Sequence, residues 1–292
     1  MSVVRRLTVC ALAAALALVP GAAEGGSRIR LVDVIETSAW DPPSPDPSGI
    51  AYSPSTGRLF VTDGEVEETI HFRGANVFRA TRRGALLGAF DLTEVSREPA
   101  GVAVRPRSRR ALYVADDNAN RIFFVRSGPD RRWGTDDDRV RSISTRAFGS
   151  DDAEGLAYGE RSLFVADGGN AEIIRIVCRD RCDGPPPGGD DDVRRFDTAP
   201  LGLTDPEGVD LDRSSGHLFI VSRRERLIAE TTLGGRLVAR YDVSSSPIRH
   251  PSGIAVVRRR DGGRTLYVLD RGVDNDQDPA ENDGRIFVFS IA

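Results

Sequence analysis

Short apolar runs separated by turn residues recur along this chain with a spacing near 50. Five of them start at a glycine: Gly49-Ile50-Ala51-Tyr52, Gly101-Val102-Ala103-Val104, Gly155-Leu156-Ala157-Tyr158, Gly208-Val209-Asp210-Leu211 and Gly253-Ile254-Ala255-Val256. Each leads, 12 to 17 residues later, to the end of a second apolar run, at Asp63, Asp116, Asp167, Ser222 and Asp270. The glycines are 52, 54, 53 and 45 residues apart. A period near 50 built from short strands predicts a radial array of four-stranded sheets, an all-β β-propeller.

Each repeat holds four strand-like runs. In the second they are Gly101–Val104, Ala111–Ala115, Arg121–Val125 and Arg139–Ser144, rich in β-branched and aromatic residues and bounded by Gly, Pro, Asn and Asp. No stretch sustains a 3.6-residue apolar period, so almost no helix is expected. The fifth repeat ends after Arg285–Ser290 with no outer run. Arg30-Leu31-Val32-Asp33-Val34-Ile35 matches the outer runs Ala85–Leu92, Val193–Asp197 and Leu237–Val243. Leu31, Val32, Val34 and Ile35 are therefore expected to close the last blade, removing an open sheet edge. Five blades result; a sixth, degenerate blade is the alternative.

Composition places this fold in a compartment. Arg5 and Arg6 precede the apolar run Leu7–Val19, and Gly21-Ala22-Ala23 offers a small-residue cleavage site. Residues 1–23 read as a secretory signal peptide and 24–292 as one propeller domain, exported to a periplasm or beyond the cell. The run is too short to span a bilayer, which needs about 20 residues. Without Arg5 and Arg6 the net charge falls from −4 to about −6. That balance argues against nucleic acid as a partner. Every basic side chain except the three histidines is Arg, which excludes Schiff-base or general-base chemistry on Lys. Cys178 and Cys182, the two cysteines of the mature chain, are expected to form a disulfide. A monomer is expected.

Candidate chemistry follows from strand direction. In a four-stranded meander, loops entering the inner strands share one face with loops joining strands two and three. Three residues before each glycine stand Asp46, Glu98, Asp152, Asp205 and His250; one residue before stand Ser48, Ala100, Glu154, Glu207 and Ser252. Six carboxylates thus gather at one channel mouth, and Asp63, Glu65, Asp116, Asp117, Asp167 and Asp270 join them on that face. So many like charges repel unless a cation neutralises them, and oxygen ligands suit Ca2+. The strand-ending Asp63, Asp116, Asp167 and Asp270 are read instead as caps of the following turns.

The segment Asp274-Asn275-Asp276-Gln277-Asp278-Pro279-Ala280-Glu281-Asn282-Asp283-Gly284 is a second Ca2+ candidate, since carboxylates at alternate positions can converge on one hard cation. Asp274, Asp276, Asp278 and Asp283 are its expected ligands. The loops Gly134–Asp138 and Gly188–Asp192 each carry three consecutive Asp. The opposite face is rich in Arg, with Arg105, Arg107, Arg109 and Arg110, and later Arg258, Arg259, Arg260 and Arg264.

Pro99-Ala100-Gly101-Val102-Ala103-Val104, with Ala111–Asp116 and Asn120-Arg121-Ile122, resembles an NHL repeat, and the other four repeats are weaker versions of it. The resemblance implies a propeller and leaves open a ligand-binding platform, a lyase or a protein-interaction module. Asp152-Ala153-Glu154-Gly155-Leu156 and Asp205-Pro206-Glu207-Gly208-Val209 are similar to segments of SdiA-regulated and phytase-like propellers. They also resemble the Glu-Gly start of SMP-30/gluconolactonase propellers, which implies a Glu ligating a catalytic divalent metal. Matching Asn and Asp ligands at later blades are absent.

No Gly-x-Ser-x-Gly elbow or phosphate-cradling glycine loop is present. Two functions remain. One is a calcium-stabilised platform binding a small molecule or protein on its acidic face. The other is a divalent-metal hydrolase, a lactonase or phosphoesterase, with Glu154 and Glu207 as metal ligand or base at the mouth.

Overall fold

The computed structural model describes residues 28–292, so the leader read at 1–23 lies outside the described residues. Five four-stranded antiparallel sheets form a five-bladed propeller. The inner strands are Pro47–Ser53, Gly101–Val104, Ala153–Gly159, Pro206–Asp212 and Pro251–Arg258, in blades one to five. Helical structure among the described residues is limited to the 3-10 turns Thr37–Ala39, Thr145–Phe148 and Ala199–Leu201.

The first two strands of each blade read as near-continuous apolar runs because both sheet faces are buried there, while the outer strands are half exposed. Successive side chains point to opposite faces. In the second strand of blade one, Leu59 and Val61 enter the seam with blade five while Phe60 enters the seam with blade two. The seams between blades two and three, three and four, and four and five hold their own clusters, centred on Tyr113 and Leu163, Phe164 and Leu218, and Phe219 and Phe287.

The five recurrent glycines mark where the inner strands approach one another. A Cβ on Gly49 would meet the backbone of Gly101; on Gly101, that of Glu154; on Gly155, that of Gly208; on Gly208, that of Ser252; and on Gly253, that of Ser48. Each of these contacts would fall within 2.9 Å. The glycines form a closed ring around the axis, and only a residue without a side chain fits there.

The N-terminal strand Ile29–Glu36 pairs antiparallel with Arg285–Ile291 and becomes the outer strand of blade five. Ile35 joins the core, and Ile29, Leu31 and Val34 pack against the seam of Phe287 and Phe289. Val32 differs from the expectation. It sits where the register shifts between Leu31 and Asp33, and it is exposed. The bulge turns it away from the pairing face.

Candidate functional site

Four of the five inner strands begin with a register shift against their neighbour, between Pro47 and Gly49, Ala153 and Leu156, Pro206 and Gly208, and Pro251 and Ile254. A bulge re-aims the residue it leaves unpaired. The residues inside these shifts include Ser48, Glu154, Glu207 and Ser252. Ser48 and Ser252 serve the backbone: Ser48 accepts from the Gly64 amide at 3.2 Å, and Ser252 donates to the Pro47 carbonyl at 2.8 Å. Glu154 and Glu207 are the acidic members of this set.

The strand-ending aspartates act as pins. Asp63 accepts from the Ser44 hydroxyl at 2.7 Å and from the Asp46 amide at 3.2 Å. Asp116 accepts from Ser96 at 2.7 Å, Asp167 from the Asn170 amide at 2.9 Å, and Asp270 from the His250 amide at 2.7 Å. Three of the four tie the second strand to the loop that enters the inner one. Asp63 is fully enclosed, and burial with the nearby Asp46 charge pushes its carboxyl up to about 7.

The residue after each strand-ending position divides the mouth into sectors. It is Gly64, Asp117, Gly168, Arg223 and Arg271 in blades one to five. Arg271 donates to Asp46 at 2.6 Å and pairs with Glu65, both buried. Arg223 pairs with Asp205 at 3.1 Å and with Glu207 at 3.2 Å. Gly64 and Gly168 instead leave room for the carboxylates of Glu98 and Asp152, whose oxygens lie 3.1 and 2.8 Å from the position a Cβ would take. Asp117 adds a further acid. Two arginines therefore pair with the acids of blades four and one, and the mouth acids in the sector of blades two and three are left without an ion pair among the described residues.

In that sector Asp117, Asp152 and Glu154 each place an oxygen within 4.8 Å of the other two. Glu154 makes no hydrogen bond or ion pair among the described residues, and all three are partly exposed. Burial raises each carboxyl above its ordinary range, and the charge of Glu207 pushes Glu154 further. Glu98, beside Asp117 and Glu68, is pushed up to about 8, mainly by burial. Glu207 reaches about 7, because burial outweighs the attraction of Arg223.

A second cluster unites Asp46, Glu65 and Asp274, with Arg271 inserted between the first two. Burial and contact with Glu68 push Glu65 up to about 10. The acidic loop does not converge on one point. Asp274 faces Asp46 and Glu65. Asp276 and Asp278 turn outward, Asp278 capping the Ala280 amide at 3.1 Å. Asp283 accepts from the Val273 amide at 3.0 Å and faces Arg249 at 3.7 Å. Among the described residues, Asp276, Asp278 and Asp283 belong to no three-acid cluster. In the triple-Asp loops, Asp138 and Asp191 bridge backbone amides of Gly134 and Gly184, both at 2.8 Å. Cys178 and Cys182 form the expected disulfide beside the second of these loops.

The sequence reading placed the carboxylates but missed Arg223 and Arg271. The signal was present, since both stand one residue past the end of a second strand. No family model and no curated protein matches this chain. Among solved structures it is similar to a luciferin-regenerating enzyme, with a TM-score of 0.54 at 13% identity, covering 91% of this chain and 95% of the other. It is also similar to the Myxococcus xanthus glutaminyl cyclase, with a TM-score of 0.51 at 14% identity, covering 90% and 97%. At such identities the likeness is one of fold. No helix among the described residues is long and apolar enough to cross a membrane.

Proposed function

We propose that this protein is an exported propeller whose acidic mouth holds a divalent cation, Ca2+ by donor chemistry, and binds a small molecule or protein partner over it. The observation that carries this reading is the Asp117, Asp152 and Glu154 group, three carboxylates that make no ion pair among the described residues, whereas Asp205, Glu207, Asp46 and Glu65 each do. Two ligands on one Ca2+ stand at most about 4.8 Å apart, given bonds of about 2.4 Å. The spacing in this group fits that limit. The NHL-like repeats support a platform. The leader read at residues 1–23 and the disulfide support export.

Metal-free protein provides the test through its pH dependence. Carboxyls raised in the folded state bind protons more tightly there than in the unfolded chain. Their contribution is complete below the unfolded values near 4 and is lost as pH rises through the folded ones. With Glu207 and Asp63 at about 7 and Glu98 at about 8, the window runs from roughly pH 4 to 8. In EDTA the melting temperature should fall by about 5 °C or more between pH 5.5 and 8.5. Ca2+ should reduce the part of that slope that comes from Asp117, Asp152 and Glu154, whose raised carboxyls it would deprotonate. A flat profile in EDTA, unchanged by Ca2+, would contradict the reading.

A second reading rests on Glu207. A carboxyl at about 7, close enough to raise that of Glu154, is suited to act as a general base at neutral pH. The metal would polarise a lactone or phosphoester while Glu207 takes the proton of an attacking water. The resemblance to SMP-30/gluconolactonase propellers supports this alternative. Lactone and phosphoester hydrolysis, assayed with and without chelator, separates the two. If the hydrolase reading holds, Glu207→Gln should lower turnover at least about 100-fold and leave the Ca2+ effect on melting in place. No turnover from the parent protein on any such ester leaves the platform reading alone.

A further inference from the structure

A cavity lined by charged side chains lies on the face away from the acidic mouth. It has a volume of about 690 Å3 and sits between blades two and three. Its wall includes Arg105, Arg107, Arg126, Arg161 and Arg213, and one acid, Glu160. None of these arginines makes an ion pair within 4.0 Å among the described residues, in contrast to Arg223, Arg264 and Arg271. Phe124 and Tyr158 supply the apolar part of the wall.

Several of these groups are held in place. The Arg105 guanidinium lies over the Tyr158 ring at 5.3 Å and donates to its hydroxyl at 3.3 Å. Arg213 donates to the Tyr158 carbonyl at 2.6 Å, while its Nε is buried without a partner. Glu160 and Arg161 form the two-residue turn between the first strands of blade three, both with positive φ, at 50° and 51°. Gly and Asn are the residues that take this turn without penalty, and other side chains cost about 1 kcal/mol or more each. The chain accepts this conformation and so sets Arg161 at the cavity rim.

We infer that this cavity binds a small multiply charged anion of phosphate or carboxylate chemistry, its apolar portion resting against Phe124 and Tyr158. Guanidinium forks match the geometry of both anions. A volume of this size lies within the range of ligand pockets, about 300–1,000 Å3. Several unpaired cations around one concavity raise each other's energy, and a bound anion relieves it. The inference is independent of the cation proposed at the mouth, because the inner strand of blade three separates Glu154 from Tyr158 by about 13 Å.

Calorimetric titration of the mature protein with pyrophosphate and with succinate tests it. One equivalent of at least one anion should bind, more weakly as salt rises. Tighter pyrophosphate assigns phosphate chemistry, and tighter succinate assigns carboxylate. Arg126→Gln with Arg161→Gln removes two exposed guanidinia and should weaken binding about tenfold or more. Arg83→Gln with Arg260→Gln, on the same face outside the cavity, should bind like the parent, as should Glu154→Gln. Absence of saturable binding for both anions, an equal loss in the control pair, or a loss in Glu154→Gln would overturn the inference.

Discussion

Removing residues 24–38 should yield a chain that aggregates instead of a monomeric propeller. Blade five is the one sheet assembled from both ends of the chain, with Ile29–Glu36 paired to Arg285–Ile291. Without its outer strand, Arg285–Ile291 becomes an open edge that carries Phe287 and Phe289, and such an edge templates association. The loss goes beyond one row of hydrogen bonds. Ile35 leaves the seam between blades five and one, and its side chain no longer meets Gly84 of blade one. Trp40, whose indole donates to the Gly84 carbonyl at 2.9 Å, loses its anchored approach. Size-exclusion chromatography and thermal melting of the truncated chain provide the check. A soluble monomer with the parent melting temperature would show that closure does not depend on this strand.

Gly155→Val should lower stability by about 4 kcal/mol or more. The position of its Cβ lies 2.6 Å from the Gly208 Cα and 2.7 Å from the Glu207 carbonyl oxygen. These are backbone atoms of the neighbouring inner strand, so no side chain can rotate out of the way. Relief requires blades three and four to separate, which opens a seam containing Phe164, Val209 and Leu218. The contrast is Gly57, where φ is 69° and nothing lies within 4 Å of a Cβ. There a substitution costs backbone strain alone, about 1 kcal/mol. Denaturant unfolding of the two variants measures the difference, and similar midpoints would refute the glycine ring as a packing constraint.

These two effects show why the architecture was legible in the sequence. Gly49, Gly101, Gly155, Gly208 and Gly253 recur because each meets the backbone of the next inner strand in a closed ring, and a packing requirement repeated five times leaves a period. The closing strand was readable for a similar reason, since its alternation had to match the outer strands it imitates. Val32 escaped because a bulge breaks alternation locally. The site was less legible. Carboxylates at the mouth follow from strand direction, but Arg271 finds its partners in the neighbouring blade. Arg271 lies 225 residues from Asp46 and 206 from Glu65. Nothing local in the chain signals those partners. The acidic loop shows the opposite error. Its alternating Asp pattern suggested one centre, whereas turn geometry sends Asp274 inward, Asp276 and Asp278 outward, and Asp283 toward Arg249.

The division of the mouth into arginine-paired and unpaired acids leads to one decisive measurement. Equilibrium dialysis of the mature protein against Ca2+, with bound metal quantified for the parent and for Glu154→Gln, addresses the Asp117, Asp152 and Glu154 group directly. Among the described residues Glu154 has no hydrogen-bonding partner to lose, so the variant should keep its fold in EDTA. The parent should bind one Ca2+ at the mouth, and Glu154→Gln should reduce its affinity at least about tenfold, since one carboxylate ligand is gone. A parent protein that binds no Ca2+, or a variant that binds it as tightly as the parent, would contradict the account.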